Sequence, residues 1–298
     1  MIRQQRSLRV NRARGNPPSP VIATANVTGI GGLWRMLSET SALIVLCQEH
    51  KALAEDIPEA SRKAARLGWR SFWTPAARTE KQGKTSGVAI LGRMHLDMWA
   101  PTSQPHAPNR AVGAVWRSRG LGTLMLYSIY CQASTGPGGF NSNLVHTVTK
   151  HASSQGVPYI VGGDWNMQPE TLAQQSLIGE AGAKILTGGS TPTFVSGRAQ
   201  SVLNLFLVAG AASHVIREVV VEDTSSISNH KPVLMHFSRE LLQSKCWVPR
   251  RFWAPPVRRQ MGPNPPPGRF DNLSPHEFFS KDGWRRSSYR ELRERPRI

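Results

Sequence analysis

The stretch VPYIVGGDWNMQP (157–169) joins a predicted buried strand to a group of polar side chains. Its first half is an apolar run of the length that is typical of a strand inside a sheet. Asp164 and Asn166 follow directly, two residues apart, so their side chains can project to the same side. The two glycines before them predict a tight exit of the backbone. We interpret the stretch as a central strand that brings a carboxylate and an amide to a sheet edge, although Asp, Asn and Gly are also ordinary turn residues.

Strands and helices alternate along the rest of the central region. Further strands are predicted at VIATANV (21–27), ALIVLCQ (42–48), WRSFWT (69–74), SGVAIL (86–91), AVGAVW (111–116), GTLMLYSIY (122–130), SVLNLFLV (201–208), HVIREVVVE (214–222) and KPVLMHF (231–237). Helices are predicted at GGLWRMLSE (31–39), PEASRKAARLG (58–68) and SNLVHTVTKHASSQ (142–155). Many strands with a few helices between them predict an α/β domain that has two sheets or one large mixed sheet.

Polar side chains also stand where other predicted strands begin or end. Asn26 closes the first strand, Glu49 follows ALIVLCQ and Tyr130 closes GTLMLYSIY. Asn204 lies within SVLNLFLV, and His230 opens the last strand. Together these residues predict a polar pocket at one edge of a sheet. Each also has a structural interpretation. Glu49 can cap the next helix, Tyr130 can be a core residue, and His230 can be a structural residue beside the last strand.

Such a set of side chains suits the hydrolysis of a phosphodiester. Glu49 supplies the carboxylate oxygen that Mg²⁺ prefers, and Asp164 is placed to align or activate an attacking water. The phenol of Tyr130 can donate to the phosphate or lie near the leaving oxygen. Three side chains can hold phosphate oxygens as negative charge develops: Asn26, Asn166 and His230.

Six blocks of the chain have the order and spacing of the signature motifs of one enzyme family. The blocks are TANVTG (24–29), CQEH (47–50), SIYCQ (128–132), VGGDWNMQP (161–169), TPTFVSGRAQSVLNLFLV (191–208) and SNHKPV (228–233). Over about residues 20–238 the chain therefore resembles the endonuclease/exonuclease/phosphatase family, and among its members the abasic-site endonucleases and LINE-type retrotransposon endonucleases. The resemblance implies a four-layer α/β sandwich, in which two mixed β-sheets pack face to face with helices outside. It also implies hydrolysis that depends on Mg²⁺, with Mn²⁺ as an alternative ion.

The resemblance implies catalytic roles for four residues of this chain. Tyr130 matches the tyrosine that contacts the phosphate, and His230 matches the histidine at the scissile phosphate. Asp164 matches the aspartate that handles the nucleophilic water, and Asn166 matches its companion asparagine.

The positions that match the metal site and the partner of the histidine depart from the family pattern. Glu49 and Asn26 match metal-site positions, with Glu49 as the principal ligand. Asn204 stands where the family usually has the aspartate that pairs with the histidine, and Asn229 stands where it has an aspartate near the metal. Thr28 occupies a position that is often acidic or Asn. We expect weaker cation binding and a histidine that lacks the carboxylate which would orient it and favour its protonated form.

Three hypotheses of function follow from these residues. The first is a metal-dependent phosphodiesterase that acts on nucleic acid, derived from a retroelement and impaired by the two amides at Asp positions. The second is a nucleic-acid-binding domain whose catalytic site has degenerated. The third is an inositol-phosphate or lipid phosphatase, because those substrates are also anionic.

The excess positive charge lies mainly in the two flanks of the chain. The net charge is +18, of which residues 1–20 contribute five arginines and no acidic residue. Residues 21–238 hold 18 Lys and Arg against 13 Asp and Glu, and residues 239–298 hold 14 against 6. We predict a basic, disordered arm (1–20), a folded domain (21–238) and a Pro/Arg-rich, largely disordered tail or linker (239–298). Basic flanks that contain Trp and Tyr favour a nucleic-acid partner, and we expect DNA rather than RNA.

Composition also limits where the chain acts. No stretch approaches the 18 or so consecutive apolar residues of a membrane-spanning helix, so we expect no membrane partner. Cys47, Cys131 and Cys246 are far apart and form no CxxC pair, which predicts reduced thiols and an intracellular location, nuclear or cytoplasmic. We expect a monomer.

Overall fold

The computed structural model of the chain describes most of its central region. The described residues are 20–118, 120–133, 135–175, 178–179, 182–223 and 229–238. The predicted arm and tail lie outside them, apart from Pro20, and remain predictions. None of the described helices has the length and apolar composition needed to cross a bilayer.

The secondary structure closely follows the predicted alternation. The first half contains β1 (Val21–Asn26), α1 (Ile30–Glu39), β2 (Ile44–Gln48), α2 (Ile57–Arg66), β3 (Trp69–Thr74), β4 (Ala77–Arg78), β5 (Lys84–Thr85), β6 (Val88–Arg93), β7 (Asp97–Trp99), β8 (Ala111–Ser118) and β9 (Gly122–Tyr130). The second half contains α3 (Phe140–Ser154), β10 (Tyr159–Asp164), α4 (Pro169–Ala173), β11 (Ala183–Leu186), β12 (Phe194–Ser196), β13 (Ala199–Ser201), β14 (Asn204–Ala209), β15 (Ile216–Val221) and β16 (Val233–Phe237). Short 3₁₀ segments occupy Ala54–Asp56 and Gly210–Val215.

Within the described residues, the strands form two six-stranded mixed sheets. Sheet A has the order β15-β16-β1-β2-β6-β3, and sheet B has the order β11-β14-β10-β9-β8-β7. Each sheet contains one parallel pair at its centre, β1 with β2 and β9 with β10. The strands β4 and β5 pair in a short hairpin outside these sheets, and β12 and β13 form another. The carboxyl ends of both parallel pairs carry the polar residues that the sequence singles out.

Alternating side chains bury both faces of each sheet. In β2, Ile44 and Leu46 join a central core that contains apolar side chains of both sheets. Val45 and Cys47 point to the other face, where they pack with residues of α1 and α2. In sheet B the outer face of β9 and β10 packs against α3 in the same way. The layers are therefore helices, sheet A, sheet B and helices, which confirms the predicted four-layer α/β sandwich.

Buried polar side chains join the two sheets beneath the pocket. Gln48 Nε2 donates to Ser128 Oγ at 2.9 Å, and Ser128 Oγ donates to the backbone oxygen of Cys47 at 2.8 Å. Gln48 and Ser128 are both completely buried. These bonds satisfy groups that would otherwise be buried without partners, and they position the end of β2 against the end of β9.

The glycines of the GGDWN stretch serve packing rather than the predicted tight exit. Gly162 and Gly163 lie inside β10, and a Cβ on Gly163 would lie 2.3 Å from Ile129 Cγ2 and 2.4 Å from the Ile129 backbone oxygen. A Cβ on Gly162 would lie 2.6 Å from Leu46 Cδ1. The residue that turns the backbone away from the strand is Asn166, in a left-handed conformation with φ 47°.

Several strand boundaries differ from the sequence prediction, and two of these differences concern residues of the predicted pocket. SVLNLFLV is divided between β13 and β14, because Thr193 Oγ1 accepts the backbone N–H groups of Leu203 and Asn204 at 2.8 and 2.9 Å. The last strand begins at Val233, and His230 forms only an isolated bridge with Phe194. Pro232 has no N–H to donate to a β-ladder, so the strand begins only at the next residue.

Candidate active site

The pocket lies where the parallel strands of the two sheets end. In sheet B, Tyr130, Asp164 and Asn204 are direct neighbours across β9, β10 and β14. In sheet A, Asn26 pairs with Gln48 at the ends of β1 and β2. A hydrogen bond from Asn26 Nδ2 to Asp164 Oδ2, 2.8 Å long, connects the two strand ends across 138 residues of sequence.

Asp164 is a buried carboxylate held by two amide groups. Its side chain is only 1% exposed, and its Oδ2 accepts the bond from Asn26. Its Oδ1 accepts the backbone N–H of Asn166 at 3.2 Å. Burial raises the pKa of Asp164 to about 7, and the charge of Glu49 adds to this, while the bonds from the two asparagines oppose it. A carboxylate with a pKa near neutrality is suited to take a proton from water.

Glu49 lies between a phenol and an ammonium group. The hydroxyl of Tyr130 donates to Glu49 Oε1, and Lys51 Nζ lies 3.5 Å from Oε2. The Glu49 side chain is 17% exposed, so a ligand can reach it. Burial raises the pKa of Tyr130 far above its ordinary range, and the bond to Glu49 raises it further. Tyr130 is therefore a fixed hydrogen-bond donor at neutral pH.

His230 lies at the pocket without a hydrogen-bonded carboxylate. Its Nδ1 lies 3.9 Å from Asp164 Oδ2, too far for a hydrogen bond. Burial lowers the pKa of His230 to about 4, although the charge of Glu49 works in the opposite direction. The ring of Phe194 lies 4.8 Å from it between centroids. At neutral pH the imidazole is therefore uncharged.

Asn204 is directed to the backbone rather than to His230. Its Nδ2 donates to the Lys231 backbone oxygen at 3.1 Å. Its Oδ1 and the Nδ1 of His230 are both buried, and within the described residues neither has a hydrogen-bond partner. Among these residues neither atom therefore has the partner that a pairing of the histidine with a carboxylate at 204 would supply.

The remaining predicted residues are divided between the pocket and its rim. Asn166 Nδ2 donates to the Cys131 backbone oxygen at 2.7 Å, which keeps Asn166 beside Asp164. Asn229 is exposed, and its backbone oxygen accepts the N–H of Val195 at 2.9 Å. No contact in the described part of the chain joins the Asn229 side chain to Glu49.

Left-handed backbone conformations gather at this edge of the fold. Non-glycine residues with φ between 47° and 64° include Thr28, Glu49, Lys51, Ser86, Asn109, Asn166 and Asn229. Several are tied together, since Lys51 N donates to Ser86 O at 3.2 Å and Gly87 N donates to Asn109 O at 3.1 Å. Such conformations cost roughly 1–3 kcal/mol each and concentrate at functional sites, although Asn tolerates them better than other residues.

Arg110 belongs to the pocket, although the sequence analysis did not select it. Its guanidinium carbon lies 4.8 Å from the centroid of the Tyr130 ring. Its Nη1 is buried, and no described group accepts a hydrogen bond from it. Its backbone oxygen accepts the N–H of Tyr130 at 2.8 Å, which fixes it beside the end of β9. The signal in the sequence was an arginine directly before the predicted strand AVGAVW.

The donor set of the pocket fits a hard cation held by few protein ligands. Within the described residues, no three His, Cys, Asp or Glu side chains form a metal cluster. Glu49 offers a carboxylate, while Asn26 and Asn229 offer amide oxygens. Mg²⁺ commonly binds to one or two carboxylates and keeps several waters, so these residues suit Mg²⁺ or Mn²⁺ at modest affinity.

The comparisons with known proteins concern structure alone. The chain matches no protein-family model, and no curated protein sequence matches it. It is similar to the endonuclease domain of TRAS1, a telomere-specific non-LTR retrotransposon, with 18% identity and a TM-score of 0.56 over 74% of this chain and 99% of that one. It is also similar to the 3′–5′ exonuclease NExo from Neisseria meningitidis, with 17% identity and a TM-score of 0.54 over 73% and 99% of the two chains.

A third similar structure is an AP endonuclease from Archaeoglobus fulgidus, with 14% identity and a TM-score of 0.53 over 73% of this chain and 99% of that one. At these identities the likeness concerns the fold. The described part of this chain therefore has the endonuclease/exonuclease/phosphatase fold, as the sequence motifs predicted.

Proposed function

We propose that the chain is a metal-dependent phosphodiesterase that cleaves nucleic acid, with DNA as the preferred substrate. The observation that carries the proposal is the environment of Asp164. This carboxylate is buried, is bonded to Asn26 from the other sheet and has a pKa of about 7. Burying a carboxylate is unfavourable for folding, so its convergence with Glu49, Tyr130 and His230 is best explained by catalysis.

The arrangement suggests how each group acts on a bound phosphodiester. A water oxygen attacks phosphorus and forms the new P–O bond, while its proton passes to the Asp164 carboxylate. The P–O bond to the leaving sugar oxygen then breaks, and that oxygen takes up a proton from solvent. Arg110 donates toward the phosphate oxygens, where negative charge increases, and Tyr130 does so when its hydroxyl turns from Glu49 to the phosphate. Asn166 and a neutral His230 add weaker hydrogen bonds.

A divalent ion would be held by Glu49 with help from the amide oxygens of Asn26 and Asn229. When bound, it would neutralise charge on the phosphate and polarise the bond to phosphorus. The amide at 229 removes one negative charge that would attract the ion, so we propose that millimolar Mg²⁺ or Mn²⁺ is needed.

Charge and structural likeness support nucleic acid as the substrate. The net charge of +18 is suited to a long polyanion. The similar structures are described as a retrotransposon endonuclease, a 3′–5′ exonuclease and an AP endonuclease, and NExo was also solved with a product DNA hairpin. A retroelement origin, an intracellular location and a monomeric state are part of this proposal.

A second candidate function is binding of nucleic acid without cleavage. The observation that favours it is the pair of orphaned atoms, Asn204 Oδ1 and His230 Nδ1. An Asp at 204 could pair with the histidine and keep it charged, whereas the amide leaves it neutral. Changing an orienting Asp to Asn has reduced kcat by about 10⁴ in another hydrolase, and a loss of that size would leave binding as the main activity.

The test is cleavage of supercoiled plasmid and of an abasic-site duplex with Mg²⁺ or Mn²⁺, with and without EDTA. Glu49→Gln and Asp164→Asn are expected to abolish cleavage. Glu59→Gln and Asp97→Asn are matched controls, because their side chains are 60% and 58% exposed on other parts of the surface. Salt-sensitive DNA binding without cleavage would support the second candidate. Phosphate release from inositol phosphates or a lipid headgroup, with no action on DNA, would contradict both.

A further inference from the structure

An exposed aromatic ring lies beside the pocket without a role in the proposed reaction. Within the described residues, the large apolar side chains that are exposed are Leu67, Met94 and Phe140. Met94 follows the far end of β6, where its N–H donates to Gly68 O, so it lies with Leu67 at the end of sheet A opposite the pocket. Phe140 is 48% exposed and is the first residue of α3. It is the one exposed aromatic residue among these three.

Phe140 is connected to the pocket through the guanidinium of Arg110. The guanidinium carbon lies 4.8 Å from the Tyr130 centroid and 5.8 Å from the Phe140 centroid, so the cation links the two rings. Tyr130 in turn donates to Glu49. Arg110 also has the buried Nη1 that lacks a partner. An unused cationic donor next to an open aromatic face matches the phosphate and the base of one nucleotide.

The backbone that carries Phe140 is fixed by the next residue. Asn141 is completely buried, and its Oδ1 accepts the N–H of Gln132 at 2.7 Å. Its Nδ2 donates to the backbone oxygens of Gln132 and Gly136, each at 2.8 Å. These bonds close the loop before α3 onto the end of β9. A ring on a fixed backbone loses little conformational entropy when a ligand stacks on it.

We propose that Phe140 is a stacking platform for an unpaired nucleobase next to the phosphate that Arg110 contacts. The inference rests on the proposed function for its ligand class, and it narrows that class to single-stranded or locally unpaired nucleic acid. A base inside an intact duplex is stacked on both faces and must leave the stack before it can lie on a protein ring.

The experiment measures binding by the full chain in EDTA, using fluorescence anisotropy with two labelled oligomers of equal length. One is oligothymidine, and the other has abasic tetrahydrofuran residues that keep the phosphates and remove the bases. Phe140→Ala is expected to weaken oligothymidine binding by about 5- to 150-fold, because stacking on an aromatic ring contributes about 1–3 kcal/mol per base. Binding of the abasic oligomer should not change. Phe140→Trp should retain the wild-type affinity, and Met94→Ala is the matched control for loss of an exposed apolar side chain.

Salt dependence separates stacking from charge. Plots of log Kd against log salt concentration should be parallel for wild type and Phe140→Ala, since the ring carries no charge. Arg110→Ala should reduce the slope by about 0.7, the contribution of one phosphate contact on a single strand. Phe140→Leu keeps apolar bulk without a ring, and its thermal stability and affinity show whether the effect belongs to the ring or to folding.

Three results would overturn the inference. They are equal weakening of both oligomers by Phe140→Ala, unchanged binding of oligothymidine, and no binding of oligothymidine by the wild type. The binding experiment contains EDTA, so its result does not depend on cleavage. Absence of cleavage in the separate plasmid assay would contradict the proposed phosphodiesterase and leave the binding test unaffected.

Discussion

The replacement Asn204→Asp should increase the cleavage activity of this chain. In the present structure Asn204 Oδ1 and His230 Nδ1 are buried without partners, and burial holds the pKa of His230 at about 4. The family motif that this chain resembles has a carboxylate at 204 paired with the histidine, and we expect an Asp there to favour the charged imidazolium. The imidazolium would then donate to the phosphate as a cation rather than as a neutral ring.

The size of the increase follows from the population of the imidazolium. With a pKa of about 4, roughly one His230 side chain in a thousand is protonated at pH 7. A neighbouring carboxylate raises a pKa by about one to three units, which would bring the protonated fraction to between about 1% and 50%. If cleavage follows this population, kcat/KM should rise by about 10- to 500-fold. That increase lies below the 10⁴ or so associated with an orienting aspartate elsewhere.

Single-turnover nicking of supercoiled plasmid at saturating Mg²⁺ provides the assay. The matched control is the same substitution in a His230→Gln background, where no increase should occur. Adding Asn229→Asp should mainly reduce the Mg²⁺ concentration needed for half-maximal rate, because it adds a negative charge at a position that the family motif assigns to the metal site. An increase of equal size in the His230→Gln background, or no increase at all, would refute the inference that the missing partner of His230 limits cleavage.

Four further predictions concern the buried carboxylate, the strand ends and the metal. Cleavage should rise with pH and level off above about 7, because the pKa of Asp164 is about 7 and its ionised form accepts the proton; a flat pH profile would contradict this role. Since that pKa is raised above the ordinary 3.8, the folded state holds the proton more tightly and the free energy of unfolding falls between about pH 4 and pH 7. Asp164→Asn should therefore raise the Tm at pH 8 and have little effect at pH 3.5, as calorimetry can check. Gly163→Ala should lower the free energy of unfolding by about 1–3 kcal/mol, because the Cβ of the alanine would lie 2.3 Å from Ile129 Cγ2. Urea titration measures this change, and an unchanged midpoint would rule out the clash. EDTA should stop cleavage and leave the Tm nearly unchanged, because the core contains no metal cluster in its described part.

The alternation of strands and helices could be predicted because it depends on neighbours in sequence. Ile44, Val45, Leu46 and Cys47 form an unbroken apolar run, and the structure buries them alternately on the two faces of one strand. Such a run is possible only where a sheet is covered on both sides. Polar residues at strand ends were visible for the same local reason, and the order of the motifs was enough to indicate the family fold.

The partners of each polar group depended on the packing of two sheets, which local sequence does not encode. Asn26 and Asp164 are 138 residues apart, and the Gln48–Ser128 bond between the adjacent strands β2 and β9 spans 80 residues. Arg110 lies before a strand like many surface arginines, and only its position over Tyr130 distinguishes it. The sequence by itself determined the order of strands and helices and the chemical types at the strand ends, since side-chain periodicity is a property of a single strand, and the four layers followed from the resemblance of its motifs. The tertiary structure decided which of those side chains meet, are buried or lack a partner, because distance and desolvation arise only when the two sheets pack together.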